Sequence, residues 1–234
     1  MNAEFDCYIK DYRKNLDKSL ALSGESSTYF AQYKAAKLRE WLPARAKKAQ
    51  TILDFGCGDG MMTSFVAQQF PMAKVYGVDP SPDSVKEAAE KYASIKFNVN
   101  YDEKPDLDFN DGMFDIVFAA GAFHHIPFER HIGYAQEIFR VLKPDGCLVM
   151  FELNPFNPLT VRTFKRNPID QNATMLKPAY AKNLFKKIVP SAMIENKFYC
   201  FYPSILKYLR WTERFMTKIP VGALYATIVQ KKSK

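Results

Sequence analysis

A nine-residue stretch, Ile52-Leu53-Asp54-Phe55-Gly56-Cys57-Gly58-Asp59-Gly60, constrains the fold more than any other part of the chain. With Thr51 it opens as a short apolar strand and then becomes a loop with glycine at every second position. Residues 61–70 follow with helical spacing. A strand that turns through glycines into a helix N-terminus is a nucleotide-handling arrangement. Glycine lets the backbone come close to a ligand, and the helix end presents unpaired N–H groups. Gly56, Gly58 and Gly60 make G-x-G-x-G, one place tighter than the G-x-G-x-x-G of dinucleotide sites.

At 234 residues the chain suits one large domain, or one domain with an elaborated end. Its apolar fraction of 47% and charged fraction of 25% are ordinary for a globular protein. No apolar run approaches the roughly 20 residues of a membrane span, and the opening MNAEFDCYIKDYRK holds no signal-peptide core. Cys7, Cys57, Cys147 and Cys200 are widely spaced, with no C-x-x-C pair. That speaks against a zinc site or disulfide framework and for a reduced, cytoplasmic protein. Cys57 inside the loop reads either as a reactive thiol or as small-residue packing against a ligand. Charge is uneven: residues 1–152 hold 18 Lys+Arg against 22 Asp+Glu, whereas residues 153–234 hold 15 against 3. The basic C-terminal third points either to an anionic partner or to a solvated lysine-rich surface.

Taken in order, residues 1–28 are polar, with a loop at 23–27. Residues 29–42 have helical apolar spacing through Phe30, Tyr33 and Trp41, and Pro43 ends them. Residues 73–79 read as a second strand ending in Asp79, 19 residues after Gly60 and just before Pro80. A carboxylate there can accept both hydroxyls of a ribose. A helix at 83–92 and a strand at 95–99 come next. Residues 112–120 make a buried parallel strand that runs into Gly121-Ala122-Phe123-His124-His125-Ile126-Pro127. An amphipathic helix at 128–142, a turn at 143–146 and a strand at 147–152 complete this half. Strands alternating with helices specify a doubly wound α/β fold, whose ligands bind at the carboxyl ends of the strands. The glycine loop, Asp79, residues 100–102, residues 121–125 and Glu152 all fall at such ends.

Residues 154–160 read as a proline-punctuated loop, because Asn-Pro pairs favour turns over helix. A helix at 178–189 and a strand at 193–202 follow. Residues 203–218 read as a basic, aromatic helix with Ile205, Tyr208, Leu209, Thr212 and Phe215 on one face. Such a helix packs on its own domain or lies on an anionic membrane surface, here through 204–218. Residues 222–230 close as a strand.

Residues 49–60, the acid-ended second strand, the 112–127 segment and the Leu142-Lys143-Pro144-Asp145-Gly146 turn together resemble the class I S-adenosylmethionine (SAM)-dependent methyltransferases. The resemblance covers about residues 50–155 and is to the small-molecule, type 11/25-like branch. It implies a Rossmann-like, seven-stranded sheet with helices on both faces, the last strand antiparallel between strands five and six. It implies an N-terminal cap region at 1–45 and a methyltransferase domain at 46–234, with 153–220 as a basic, substrate-side elaboration. SAM would be held by Asp54, Gly56, Cys57, Gly58, Gly60, Asp79, Pro80, Ala120 and Gly121. Asn100 and Asp102 are both candidates for the adenine amine, with Asp102 preferred. The helix at 29–42 would cover the cofactor, with Tyr33 and Lys34 near it.

On the acceptor side the resemblance puts His124 and His125 beside the transferred methyl. A histidine with its pKa near 6.5 is suited to take the proton of a hydroxyl acceptor. Glu152, Asn154, Arg162 and Arg166 are the substrate-side candidates, and Arg162, Lys165 and Arg166 could clamp a phosphate or carboxylate. Glu152 and Asn154 are too few to argue a metal site. The Glu152–Pro158 stretch and the basic, aromatic C-terminus look similar to enzymes encoded with glycan and polyprenyl-lipid pathways. That suggests a small-molecule or lipid-linked acceptor, anionic and reached through a hydroxyl. Two rival classes share parts of this pattern. An NAD(P)-dependent oxidoreductase is disfavoured by the loop spacing and by the missing Tyr-x-x-x-Lys pair at a strand edge. An RNA methyltransferase fits the basic third, but residues 119–127 lack the Asn/Asp-Pro-Pro-aromatic motif of base-methylating enzymes, so a nucleic-acid partner is not expected.

Overall fold

The computed structural model describes residues 12–46, 48–100 and 105–231; the candidate Asp102 lies outside the described residues. Seven strands form one sheet: β1 (Thr51–Phe55), β2 (Lys74–Asp79), β3 (Lys96–Val99), β4 (Phe114–Ala120), β5 (Leu142–Leu153), β6 (Met193–Tyr199) and β7 (Leu224–Gln230). Their order is β3-β2-β1-β4-β5-β7-β6. The first five run parallel, and β7 is antiparallel to both β5 and β6. The expected doubly wound α/β sheet with an inserted antiparallel last strand is what the chain forms.

The principal helices are α1 (Tyr12–Leu20), α2 (Ser27–Trp41), α3 (Met61–Gln69), α4 (Pro82–Lys91), α5 (His131–Val141), α6 (Pro158–Arg166) and α7 (Pro178–Ile188). Alternate residues of each central strand serve two separate cores. Leu53, Val117 and Leu148 pack with Ile138 of α5 and Phe185 of α7. Ile52, Ile116 and Val149 pack with Leu38 of α2 and Val66 of α3 on the other face. Both faces are covered, which is why the central strands read as near-continuous apolar runs. Helix starts are fixed locally: Ser26 accepts the Tyr29 N–H at 3.1 Å, and Ser81 accepts that of Ser84 at 3.2 Å. Among the described residues no helix is long and apolar enough to cross a membrane.

Four segments differ from the sequence expectation. The polar N-terminal region contains α1. The expected turn at 143–146 is a bulge inside a continuous β5, where the pairing with β4 slips between Phe114 and Ile116. Asn157-Pro158 starts α6 instead of continuing a loop: Asn157 caps by accepting the Thr160 N–H at 3.0 Å, and proline suits the first turn. Residues 203–218 do not form one α-helix. Ser204–Thr212 is a 3-10 helix with a kink at Leu206, running into the single turn Glu213–Met216.

Asn154, read as a substrate-side candidate, is fully buried and committed to the scaffold. Its Nδ2 donates to the carbonyls of Pro220 (3.1 Å) and Gly222 (2.7 Å), and its Oδ1 accepts the Phe156 N–H at 3.1 Å. These bonds pin the entry to β7 against the start of α6. Asn154→Ala should cost about 2–3 kcal/mol by leaving buried backbone groups unpaired, measured by urea unfolding.

Candidate active site

The glycine loop joins β1 to α3 and is tied to the end of β2. The Gly56 and Cys57 N–H groups donate to the Val78 carbonyl at 2.9 and 3.0 Å. Asp79 braces the turn, its Oδ2 accepting the Gly58 N–H at 2.8 Å and its Oδ1 the Ser81 N–H at 3.0 Å. Two glycines are required for different reasons. A Cβ on Gly56, at φ +78°, would stand 2.5 Å from the Ala122 Cβ, whereas one on Gly58, at φ +51°, would enter open space. Gly56 is a packing requirement, and Gly58 leaves room beside the loop.

That room belongs to a cavity of about 280 Å³. Asp54, Gly56, Cys57, Gly58 and Ala120 line it along the sheet edge. Leu16 and Leu20 of α1, with Phe30 and Lys34 of α2, roof it; Leu159 and Thr163 of α6 and residues 200–203 close the far wall. The roof is fastened to the loop itself, because the Arg13 guanidinium forks onto both carboxylate oxygens of Asp59, Nε reaching Oδ2 at 2.7 Å. Glu213, which no local pattern singles out, shapes the far wall. Buried, it accepts the Tyr33 hydroxyl at 2.7 Å and the N–H groups of Phe201 (2.9 Å) and Tyr202 (3.2 Å). Tyr33 is thereby drawn to Glu213, and it is Lys34 that reaches the cavity.

The other candidates fall into two groups. Asp79, Pro80, Asn100 and Gly121 sit on the same sheet edge, next to the lining: the Asn100 N–H donates to the Asp79 carbonyl at 3.0 Å, and that of Gly121 to Phe151 at 2.9 Å. Gly60 packs against Ala88 and Phe97. Arg162 and Arg166 are exposed on α6 and line no part of the cavity.

Two buried carboxylates set the electrostatics. Asp54 Oδ2 accepts the Thr63 hydroxyl at 2.6 Å, while Oδ1 has no hydrogen-bond partner among the described residues. Burial, stronger than the Thr63 bond, raises its carboxyl to about 8. Burial also lowers the Lys34 ammonium, against the pull of Glu152 and Asp54. The Cys57 thiol is pushed well up by burial and the nearby Asp79, so it packs as a neutral small side chain.

Behind Gly121 lies a second polar cluster. His124 Nδ1 donates to Glu152 Oε2 at 2.6 Å, and its Nε2 faces Asp170 Oδ1 at 3.5 Å. His125 Nε2 faces the same Asp170 oxygen at 3.5 Å, and the two rings lie 4.2 Å apart. Asp170 is held from its other oxygen by Asn167 Nδ2 at 2.7 Å. Burial alone would lower the His124 pKa, but the Glu152 and Asp170 carboxylates outweigh it and raise it to about 10. Burial and the charge on His124 lower His125 to about 3. The pair is therefore split, one ring cationic and one neutral at pH 7. One ligand atom from each of His124, His125 and Asp170 lies within 4.8 Å of the others, a spacing that could also hold a metal ion. The third histidine, His131, is a core residue bonded to the Ile126 carbonyl at 2.8 Å and the Tyr180 hydroxyl at 2.8 Å.

A glycine loop at the carboxyl edge of the sheet's parallel half, an acid after β2 and, in the adjoining cavity, a buried carboxylate oxygen with no hydrogen-bond partner among the described residues define an α/β protein suited to a cationic nucleoside ligand. Residues 52–146 match the family described as Methyltransferase domain. The chain is 31% identical over 188 residues to the demethylmenaquinone methyltransferase of Chlorobaculum parvum, covering 76% of this chain and 70% of that protein. It is 37% identical over 107 residues to the 2-methyl-6-phytyl-1,4-hydroquinone methyltransferase of Synechocystis, a match covering 44% of this chain and 32% of that protein. Among solved structures, a SAM-dependent methyltransferase from Archaeoglobus fulgidus shares the fold at TM-score 0.61 and 19% identity, over 86% of this chain and 94% of that one. The plantazolicin methyltransferase BpumL in complex with SAH does so at TM-score 0.63 and 17% identity, over 96% and 99%. The chain belongs to the class I SAM-dependent methyltransferases, and SAM is its cofactor.

Two outcomes follow from this geometry. Gly58→Ala should lose SAM affinity in calorimetry at a stability cost of only about 1–2 kcal/mol, whereas Gly56→Ala should destabilise the fold more, through its clash with Ala122. The His124 pKa is higher folded, at about 10, than the ordinary 6.5, so its contribution to stability is complete below pH 6.5 and lost as pH rises toward 10. Thermal melts across that window should fall for the wild type and fall less steeply for His124→Gln.

Proposed function

We propose that the chain moves the methyl group of SAM to a hydroxyl on a small acceptor with an apolar, lipid- or glycan-linked body. The observation that carries this reading is a single cavity running from the glycine loop to α6 and residues 200–203, walled by Leu20, Phe30, Leu153 and Leu159. The two relatives named above take, by their names, a demethylmenaquinone and a phytyl hydroquinone. In this reading residues 1–45 cap the cofactor and residues 153–220 form the acceptor side.

SAM supplies an electrophilic methyl group, so the residues' main task is to hold acceptor and donor in line, worth roughly 7–11 kcal/mol. Asp54 Oδ1 takes the ammonium end of the cofactor, with Gly58 leaving space beside it. Asp79 takes the ribose, Asn100 is the described candidate for the adenine, and Ala120 and Gly121 form the floor. Neither histidine lines the cavity, and His125, lowered to about 3, is too weakly basic to take the hydroxyl proton. The pair is assigned to holding the sheet edge, with His124 oriented by Glu152 and Asp170.

Two experiments test this. Methyl label from SAM should pass to a prenylated hydroquinone and be recovered in an organic extract. Label entering only water-soluble acids such as trans-aconitate would sink the lipid-linked acceptor. Asp54, held near 8, must ionise to face an ammonium. Calorimetry near pH 7 in buffers of differing ionisation enthalpy should therefore show proton release on SAM binding, absent in Asp54→Asn; no release in the wild type would remove Asp54 from this role.

A further inference from the structure

Residues 204–221 leave a run of large apolar side chains uncovered. Ile205, Tyr208, Trp211 and Phe215 are 81%, 67%, 64% and 70% exposed. Beyond the kink at Leu206, at three residues per turn, a spacing of three sets Tyr208 and Trp211 on one face of the 3-10 helix. The run continues through the exposed Ile219 and Val221, and Asn157 Nδ2 donates to the Val221 carbonyl at 2.8 Å. That bond brings in Phe156 and Leu159 at the start of α6, 56% and 58% exposed. Leu159 at one end and Pro203 at the other also line the cavity, so the apolar run borders the cavity mouth. A patch of this kind marks an interaction surface.

The exposed charges around it have, but for Glu195, one sign, and the part-buried Glu25 is paired with the part-buried Arg210 at 2.8 Å. Of the three acids in residues 153–234, Asp170 and Glu213 are buried, leaving Glu195 exposed on β6 beside Lys197 at 3.3 Å. Lys207, Arg214, Lys218 and, on α6, Arg162 and Arg166 are exposed. The Arg214 guanidinium lies over the Phe215 ring at 4.6 Å and near the Trp211 ring at 6.0 Å, with apolar and cationic groups interleaved.

An anionic bilayer satisfies both halves of this surface. Aliphatic Ile205, Ile219, Val221 and Leu159 gain nothing against a phosphate backbone, and a second copy would set basic rim against basic rim. The boundary between acyl chains and anionic headgroups takes apolar side chains and cations together. We propose that the face built from residues 204–221 and the start of α6 docks on an anionic lipid bilayer, so that the acceptor enters the cavity from the lipid. The docking stands on the surface alone; the entry route rests on the lipid-linked acceptor proposed above.

The test uses the full chain with SAM and vesicles of equal parts phosphatidylglycerol and phosphatidylcholine. The protein should sediment with these vesicles, not with phosphatidylcholine alone, and Trp211 fluorescence should shift to the blue. Lys207→Gln and Lys218→Gln should each weaken partitioning about fivefold. Trp211→Ala with Phe215→Ala should weaken it at least tenfold. SAM affinity should be unchanged in all of them, which separates loss of docking from loss of fold or of cofactor binding. A protein that binds SAM but not the anionic vesicles overturns the proposal. So does retention on an RNA oligonucleotide that the lysine variants lose and the Trp211/Phe215 variant keeps, or a dimer that the Trp211/Phe215 variant dissolves. Vesicle binding without methyl transfer to any lipid upholds the docking and rejects the entry route.

Discussion

The contact on which the ligand edge depends is the buried bond from His124 to Glu152. It spans the ends of β4 and β5, the two strands that flank the turn of the sheet toward its antiparallel half. Taking both charges out of water is expensive, and the pair is sustained because Asp170 supplies a second carboxylate to the same imidazolium. Removing one member would strand the others in an apolar setting. The cluster thus fixes Gly121, the C-terminal end of α6 at Asn167 and the segment after it relative to one another.

A division of labour between acids and bases follows from the same economy of burial. Asp54, Glu152, Asp170 and Glu213 are inside, each receiving hydrogen bonds from chain segments that need orienting. Most of the described cations of the C-terminal third are exposed, Lys197, Arg210 and Lys231 being the part-buried exceptions. What reads in the sequence as a net positive charge is therefore amplified at the surface, because the few neutralising acids are spent on the interior.

The parallel half of the sheet was legible because it rests on local signals: apolar runs, glycine spacing, an acid closing β2. The antiparallel insertion of β7 came only from the family resemblance. Asp79 was singled out by the local signals, and its observed bonds brace Gly58 and Ser81. Partnerships between distant residues were not legible. Nothing near Asp170 or Glu213 in the chain announces a histidine pair or a tyrosine 180 positions away, as Tyr33 is from Glu213. Asn154 and the α6 arginines had suitable chemistry, but one was taken up by loop carbonyls and the others turned to the exterior. Asn157-Pro158 carried a real signal that was read in one direction only, since a pair that breaks a helix from inside also starts one. Winding was equally hidden at 204–212. A period of 3.6 leaves Trp211 off the apolar face, whereas a period of three brings it into line.

The ion pair between Arg13 and Asp59 has a kinetic meaning. Asp59 belongs to the glycine loop, and Arg13 belongs to the helix that roofs the cavity beside it. Opening the roof and loosening the floor are then a single event, and salt, which weakens a part-buried pair only in part, would ease both movements together.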